Sequence, residues 1–366
     1  MTQVTPVRCF SALLLVACLA TPIVMSPGFV SVCVFVLIAA IGAQGVNVVT
    51  GYAGQLSFGH AFFLAIGAYT AGVLGGDHGL SALIWVPAAG IVAAVIGALI
   101  APTAVRLRGL YLSIVTIALV LVGQYLFVNL DGLTGGAAGR SIPAFRIGTL
   151  DLSPGRELQV GPWQLGRDQL YYYVTLVLLV LVCLYVRNLG RSRVGRAMLA
   201  INEGELGAAV LGVNTTRVKV VAFALSAFFA GIAGALYGSY LSYVQPDQWS
   251  LILSVEYVAA VIIGGSATVF GPVLGAIVVF ALPAVIEKLP FLHDTGVAPA
   301  NVAAIIYAVV IIAVLLKMPR GLIGLVDTFT RRISTPNKLP PSAGDGGLPA
   351  EPPAVLAPRL GRSQHP

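Results

Sequence analysis

The sequence predicts an all-α fold, a polytopic bundle of about ten transmembrane helices, and three observations carry that prediction. Apolar residues make up 58% of the chain and charged residues only 10%, against about 25% charged in soluble domains. Mean hydropathy is +0.93, too high for a surface that faces water everywhere. The apolar runs are also continuous over roughly 17–25 residues, the length that crosses hydrocarbon as a helix. A β-barrel would instead alternate apolar and polar residues in segments of about ten.

The runs read as spans at 10–25, 28–50, 58–75, 80–104, 109–128, 169–187, 217–240, 250–268, 272–289 and 298–317. Pro27, Pro87, Pro102, Pro272 and Pro299 mark starts, ends or kinks, since proline lacks the N–H that a helix interior needs. The positive-inside rule tests the alternation. With the N-terminus and Arg8 inside, Asp77-His78 falls outside, Arg106 and Arg108 inside, and 129–168 outside with four arginines balanced by four acids. The segment 187–219 then falls inside with six basic residues against two acids, Asp247 outside, and Lys317, Arg320, Arg331 and Arg332 inside. Every strongly basic connection lands on one face. Ten spans with both termini cytoplasmic, in a bacterial inner membrane, is the expected topology.

Three parts follow: an N-terminal span over 1–27, a membrane domain over 28–325, and a tail over 326–366. From about residue 333 the tail holds eight of the 22 prolines and no long apolar run; it is expected to be disordered, because it cannot bury a core. The N-terminal segment has two readings. Leu15-Val16-Ala17-Cys18 matches a lipoprotein cleavage box after a short apolar core, and the same residues serve as a retained first helix. Cys9, Cys18, Cys33 and Cys183 otherwise read as small core hydrophobes, with no CxxC pair among them.

Several function classes are excluded at this level. The net charge of +7 follows from basic residues flanking apolar segments, so nucleic-acid binding is not expected. No phosphate loop, HExxH, nucleophile elbow or zinc cluster occurs. The chain is therefore expected to be non-catalytic and to hold no metal or cofactor. Intramembrane ionisable residues mark pathways by default, and few exist: His60 opens the third span and Glu256 lies in the first third of the eighth. That scarcity argues against an ion-coupled carrier and for energy supplied from elsewhere.

Two stretches stand out. The decapeptide GYAGQLSFGH (51–60) carries three glycines, a glutamine, a serine and a histidine between two spans. Non-helical backbone survives at membrane depth only inside protein or beside water. The stretch therefore reads either as a tight cytoplasmic turn or as a broken helix near the inner mouth, with Ser57 and His60 on one face if helix resumes there. Asn47, Gln55, Ser57, His60, Tyr69 and Glu256 are the candidates for lining a pathway or gate. The segment 187–219 is long for a connection between spans, and its stretch AMLAINEGELGAAVLG reads as a short amphipathic helix stopped by Gly212. Such a helix suits either docking into a soluble partner or anchoring at the lipid interface. Small residues four apart, at Ala227 and Gly231, Gly234 and Gly238, and Gly271 and Gly275, predict closely packed helices. A faint internal likeness links Ser57-Phe58-Gly59 to Val269-Phe270-Gly271-Pro272, each running into a small-residue helix.

The run GRAMLAINEGELGAAVLGVNTTRVKVVAFALSAFFAGIAGALYG resembles the permease subunits of branched-chain amino acid ABC importers. So do NVVTGYAGQLSFGHAFFLAIGAYTAG, GLTGG at 132–136, EYVAAVIIGGSATVFGPVLGA and MPRGLIG at 318–324. The resemblance covers roughly 28–325 and extends to urea and short-amide importers. It implies an importer-permease fold, a homologous permease subunit, two cytoplasmic ABC ATPase subunits and an external substrate-binding protein. It also assigns 195–212 as the ATPase-coupling segment, with Arg196, Glu203, Glu205, Ala208 and Gly212 as its marked residues. The usual signature places glycine six positions after the glutamate; here Glu205 is seven before Gly212, and the alanines are Ala208 and Ala209. The rival class is a secondary transporter or channel that needs no ATPase.

Overall fold

The computed structural model describes residues 19–22, 24–105, 110–148, 150–153, 158–160, 163–287, 302, 305–309, 312 and 321–324. Cys18, most of the expected first span and the proline-rich tail lie outside them, as does most of 298–317. Among the described residues the chain is a helical bundle. Its elements are α1 (Pro27–Val46), α2 (His60–Ala71), α3 (Ala82–Val105), α4 (Leu110–Asn129), α5 (Arg167–Arg191), α6 (Arg193–Glu203), α7 (Glu205–Val210), α8 (Thr215–Leu241), α9 (Leu251–Gly264), α10 (Gly271–Ala276) and α11 (Leu282–Glu287). Three stretches widen into π-turns: Asn47–Tyr52 after α1, Gly72–Asp77 after α2 and Ile277–Ala281 after α10.

Among the described residues, six helices are long and apolar enough to cross a membrane: Pro27–Tyr52, Ala82–Pro102, Tyr111–Asn129, Arg167–Arg191, Thr215–Leu241 and Pro246–Gly264. They match six of the ten expected spans. The segment expected at 272–289 is the shorter apolar helix Gly271–Ile286, and the one at 58–75 is the short helix α2 with its π-turn. Pro27 sits in the first turn of α1 and Pro272 in that of α10, whereas Pro87 and Pro102 lie within α3.

α8 is the axis of the bundle, packed on α1, α2 and α3; α1 in turn packs on α5 and α10. Glycine sets these distances. A Cβ on Gly67 would lie 2.0 Å from the Gly231 carbonyl oxygen, and one on Gly234 would lie 1.9 Å from that of Leu64. A Cβ on Gly231 would meet the Ala89 oxygen at 2.5 Å. Helices in lipid gain little from the hydrophobic effect, so this close van der Waals contact is what joins them. The outer faces of α3 and α4, including Leu83, Ile91, Leu99, Tyr111, Leu121 and Tyr125, are exposed.

Short strands gather at one end of the bundle: β1 (Arg140–Ser141), β2 (Arg146–Ile147), β3 (Leu150–Asp151), β4 (Leu158–Val160), β5 (Trp163–Leu165) and β6 (Tyr243–Val244), paired β1–β6, β2–β3 and β4–β5, all antiparallel. Five of these strands lie in the connection 129–168, which was expected to fall on the outer face. These ladders give a polar loop somewhere to place its backbone groups. The GLTGG stretch turns the chain from α4 into β1, with Gly135 and Gly136 at φ 75° and 62°. Arg140 pairs with Asp77 at 2.6 Å. The Arg167 guanidinium donates to the carbonyls of Leu152 and Tyr240 and to the Ser242 hydroxyl, which ties α5 to the end of α8.

Candidate functional site

At the opposite end, the break after α1 is neither a tight turn nor a continuous helix. Gly54 adopts φ +66°, a left-handed conformation that glycine takes without strain. From there to Gly59 the chain is non-helical, with Gln55, Ser57 and Gly59 buried and Gly54 and Leu56 exposed. His60, which opens α2, sits beside Gly42 and Gly45 and packs on Tyr257 with ring centroids 4.8 Å apart. Gly45 is about two helical turns before Tyr52, where the π-turn after α1 ends, a rise of about 10 Å. The extended segment therefore climbs back into the bundle before helix resumes. Its backbone groups are satisfied by hydroxyls from distant helices. The Phe58 N–H donates to Thr116 Oγ1 (3.0 Å), Ser113 Oγ donates to the Leu56 carbonyl (3.1 Å), and the Ala61 N–H donates to Ser254 Oγ (2.9 Å). Ser57 lies in the extended part and accepts from the Gly59 N–H, so Ser57 and His60 do not share a helical face. Here the buried His60 Nε2 and Gln55 Oε1 have no hydrogen-bond partner among the described residues.

A second break, 265–270, joins α9 to α10 and touches the first. Asn47 brackets it with both amide atoms: Nδ2 donates to the Thr268 carbonyl (2.8 Å) and Oδ1 accepts from the Ala267 N–H (2.9 Å). Gln44 adds a bond from Nε2 to the Val269 carbonyl at 2.6 Å. A Cβ on Gly51 would lie 2.5 Å from the Ala267 nitrogen. The likeness between the two Phe-Gly steps thus has a structural counterpart. Each ends a non-helical break, opens a short helix and leads into a π-turn. Glu256 is half-buried on α9 next to Tyr257. Tyr69 stands apart, nine residues up α2 from His60. Asn47, Gln55, Ser57 and His60 therefore gather at the two breaks, whereas Glu256 and Tyr69 lie away from them on α9 and α2.

The segment after α5 forms two helices where the sequence suggested one. The corner is set by Ser192, whose Oγ accepts from the Gly195 N–H (3.1 Å), and by Gly195, where a Cβ would lie 2.0 Å from the Leu189 oxygen. Arg196 turns back to the Arg191 carbonyl (2.7 Å). Met198 and Ile201 of α6 and Ala208 of α7 are buried, whereas Glu203 is exposed. Gly204 separates α6 from α7, and Gly212, at φ +84°, ends the unit. Glu205 forms an ion pair with Lys219 of α8 at 2.8 Å, and the lysine side chain is only 5% exposed. The carboxylate thereby offsets the desolvation of a buried ammonium. Asn202 completes the link: Nδ2 donates to the Gly51 carbonyl at 2.8 Å, and its side chain occupies the space beside Gly54. α6 is therefore hydrogen-bonded to the start of the first break. Leu206, Val210 and Leu211 project outward.

Sequence reasoning missed Ser113, Thr116, Ser254, Asn202 and Lys219. The first three are lone hydroxyls in apolar runs, a signal that was available but carries no information about the partner. Among the described residues no group of three or more His, Cys, Asp or Glu side chains is arranged to hold a metal.

Comparison with known proteins follows the same lines. Residues 28–315 match the family model described as branched-chain amino acid transport system / permease component. The chain is 35% identical over 283 residues to the high-affinity branched-chain amino acid transport system permease protein LivM of Salmonella typhimurium, and equally to that of Escherichia coli K12; each match covers 74% of this chain and 66% of the relative. The chain thus spans just under two thirds of the length of those relatives. The permease protein LivH of Salmonella typhimurium is 25% identical over 301 residues, covering 78% of this chain and 91% of the relative. No solved structure matches. With the family model covering most of the chain and the broken helix and two-helix segment lying within its bounds, the chain belongs to the family of branched-chain amino acid transport system permease components.

Proposed function

We propose that the chain is a membrane permease subunit of an ATP-driven importer for branched-chain or related amino acids, with both termini in the cytoplasm of a bacterium. It lines the translocation pathway together with a homologous permease, receives substrate from an external binding protein at the strand-bearing end, and is driven by two ATPase subunits that press on α6 and α7. The chemistry of ATP hydrolysis belongs to those subunits. The observation that carries this reading is the bond from Asn202 to Gly51. A helix placed where a soluble partner can reach it is tied directly to a break in a spanning helix. That break is braced in turn against a second one through Asn47. Helices interrupted in this way are the elements that alternating access moves.

The test uses the assembled complex in proteoliposomes. Asn202→Ala removes one hydrogen bond at an exposed position, so assembly and thermal stability should stay at wild-type levels. Amino acid imported per ATP hydrolysed should fall about fivefold, the worth of roughly 1 kcal/mol, and Asn202→Gln should restore part of it. An unchanged ratio would refute the linkage. Orientation is tested separately with a cysteine at exposed Arg193 in a background freed of the four native cysteines. In intact cells it should react with a membrane-permeant maleimide and not with an impermeant one. Equal labelling by both reagents would reverse the topology.

A further inference from the structure

A second cluster of unpartnered polar atoms lies far from the two breaks, under the strand-bearing end. The Tyr69 hydroxyl, Trp249 Nε1 and Gln248 Oε1 have no hydrogen-bond partner among the described residues. Tyr69 is 5% exposed and Trp249 1%, and buried polar atoms left without partners are rare because each forgoes its bonds to water. Tyr69 and Trp249 are neighbours, and Gln248 directly precedes Trp249 in the chain. The Tyr69 hydroxyl faces the Trp249 indole outside hydrogen-bonding geometry, with the Asp247 carboxylate nearby. Apolar walls surround them: the Phe127 ring lies 5.3 Å from that of Tyr69, and Tyr237 lies 5.7 Å from Trp249. Phe127 is held in turn by the GLTGG turn, whose Thr134 hydroxyl donates to its carbonyl at 2.5 Å. Immediately after Trp249 begins α9, which is capped by Ser250 and has no acidic residue in its first turn.

The inventory has a sign pattern. Tyr69 O–H and Trp249 N–H are donors without acceptors, next to the positive end of a helix dipole, and suit a carboxylate. Gln248 Oε1 and the Asp247 carboxylate are acceptors and suit an ammonium. The aromatic rings between them suit an aliphatic side chain. We propose that Tyr69, Trp249, Gln248 and Asp247, with Phe127 and Tyr237 as walls, form a subsite in the permease that binds a zwitterionic α-amino acid with an apolar side chain as it passes inward from the strand-bearing end. The subsite rests on the amino-acid reading above and adds to it a selectivity step inside the membrane subunit.

The test takes the assembled transporter in lipid nanodiscs without binding protein and a diazirine-bearing aliphatic amino acid as photoprobe. Labelling should map to peptides containing 62–69, 127 or 237–249 and should be competed by leucine about tenfold better than by leucinamide, which lacks the carboxylate. Tyr69→Phe and Trp249→Phe each keep an aromatic ring and remove one donor. Both should weaken labelling and erase the preference for leucine over leucinamide, with thermal stability held at the wild-type value. A double variant that keeps wild-type labelling and preference overturns the subsite, as does a loss of labelling that tracks a loss of stability. If the wild-type complex with binding protein imports leucine yet no label reaches these peptides, the subsite alone fails. If it imports no aliphatic amino acid at all, the transport reading fails and the subsite with it.

Discussion

Gly234→Leu should leave almost no folded permease in the membrane, and Gly234→Ala should already lower its stability severely. The α2–α8 contact has no room for a side chain: a Cβ on Gly234 would lie 1.9 Å from the Leu64 oxygen and 2.6 Å from its carbonyl carbon. Both atoms are backbone, so no rotamer change relieves the overlap and one helix must move. Overpacking a core costs about 1–3 kcal/mol even where side chains can adjust, and here the whole of α2 would be displaced. That displacement would also open the Gly67–Gly231 contact one turn away and, through Gly231, the approach to Ala89 on α3. The measurement is the yield of monodisperse protein in detergent and its midpoint of thermal unfolding. Gly132→Ala is the matched control, since a Cβ there meets nothing within 4 Å; it should behave as wild type. Equal yields for both variants would mean that the α2–α8 contact does not hold the bundle together.

These contacts also mark how far the sequence could be read. The small residues at Ala227, Gly231, Gly234 and Gly238 announced close helix packing because their spacing places them on one helical face. Which helices they meet depends on topology and could not be read from spacing. The break at 51–60 was legible for a similar reason. Three glycines and uncharged polar residues between apolar runs cannot continue a lipid-facing helix, and Gly54 does adopt the left-handed conformation. Its stabilising partners were not legible, because Thr116 and Ser254 are supplied from 58 and 193 residues away. Asn47 illustrates the ambiguity of a buried polar residue. Polarity in a span fits a pathway, yet in the structure both of its amide atoms bind the 265–270 loop. The segment 193–210 divides at Gly204 because the backbone there is extended, φ 178° and ψ 108°, which a helix cannot include. The departure of Glu205 from the usual coupling spacing has a physical counterpart in its bond to Lys219: the carboxylate anchors α7 to α8.

In the proposed complex, with Glu205 facing its own protein, the outward surface of α7 is the part of this segment left to meet an ATPase. Leu206, Val210 and Leu211 are 73%, 87% and 83% exposed, in a segment whose other exposed residues include Arg193, Arg196 and Glu203. An apolar patch within a charged rim is the pattern of a protein interface, where a few desolvated side chains carry most of the binding energy. Replacing Leu206 and Val210 together by aspartate should therefore abolish co-purification of the ATPase subunits and reduce uptake by more than about a hundredfold, the effect of losing roughly 3 kcal/mol. The bundle should remain intact, because neither side chain is among the buried core residues. The competing assignment, in which α7 lies in the lipid interface, predicts a different result. An environment-sensitive dye on a cysteine at Leu211 would then report an apolar surrounding in nanodiscs before any ATPase is added. For a docking helix the dye should report water until the ATPase binds and shift only then. A signal that is apolar from the start, together with normal ATPase retention by the double variant, would remove α7 from the coupling interface.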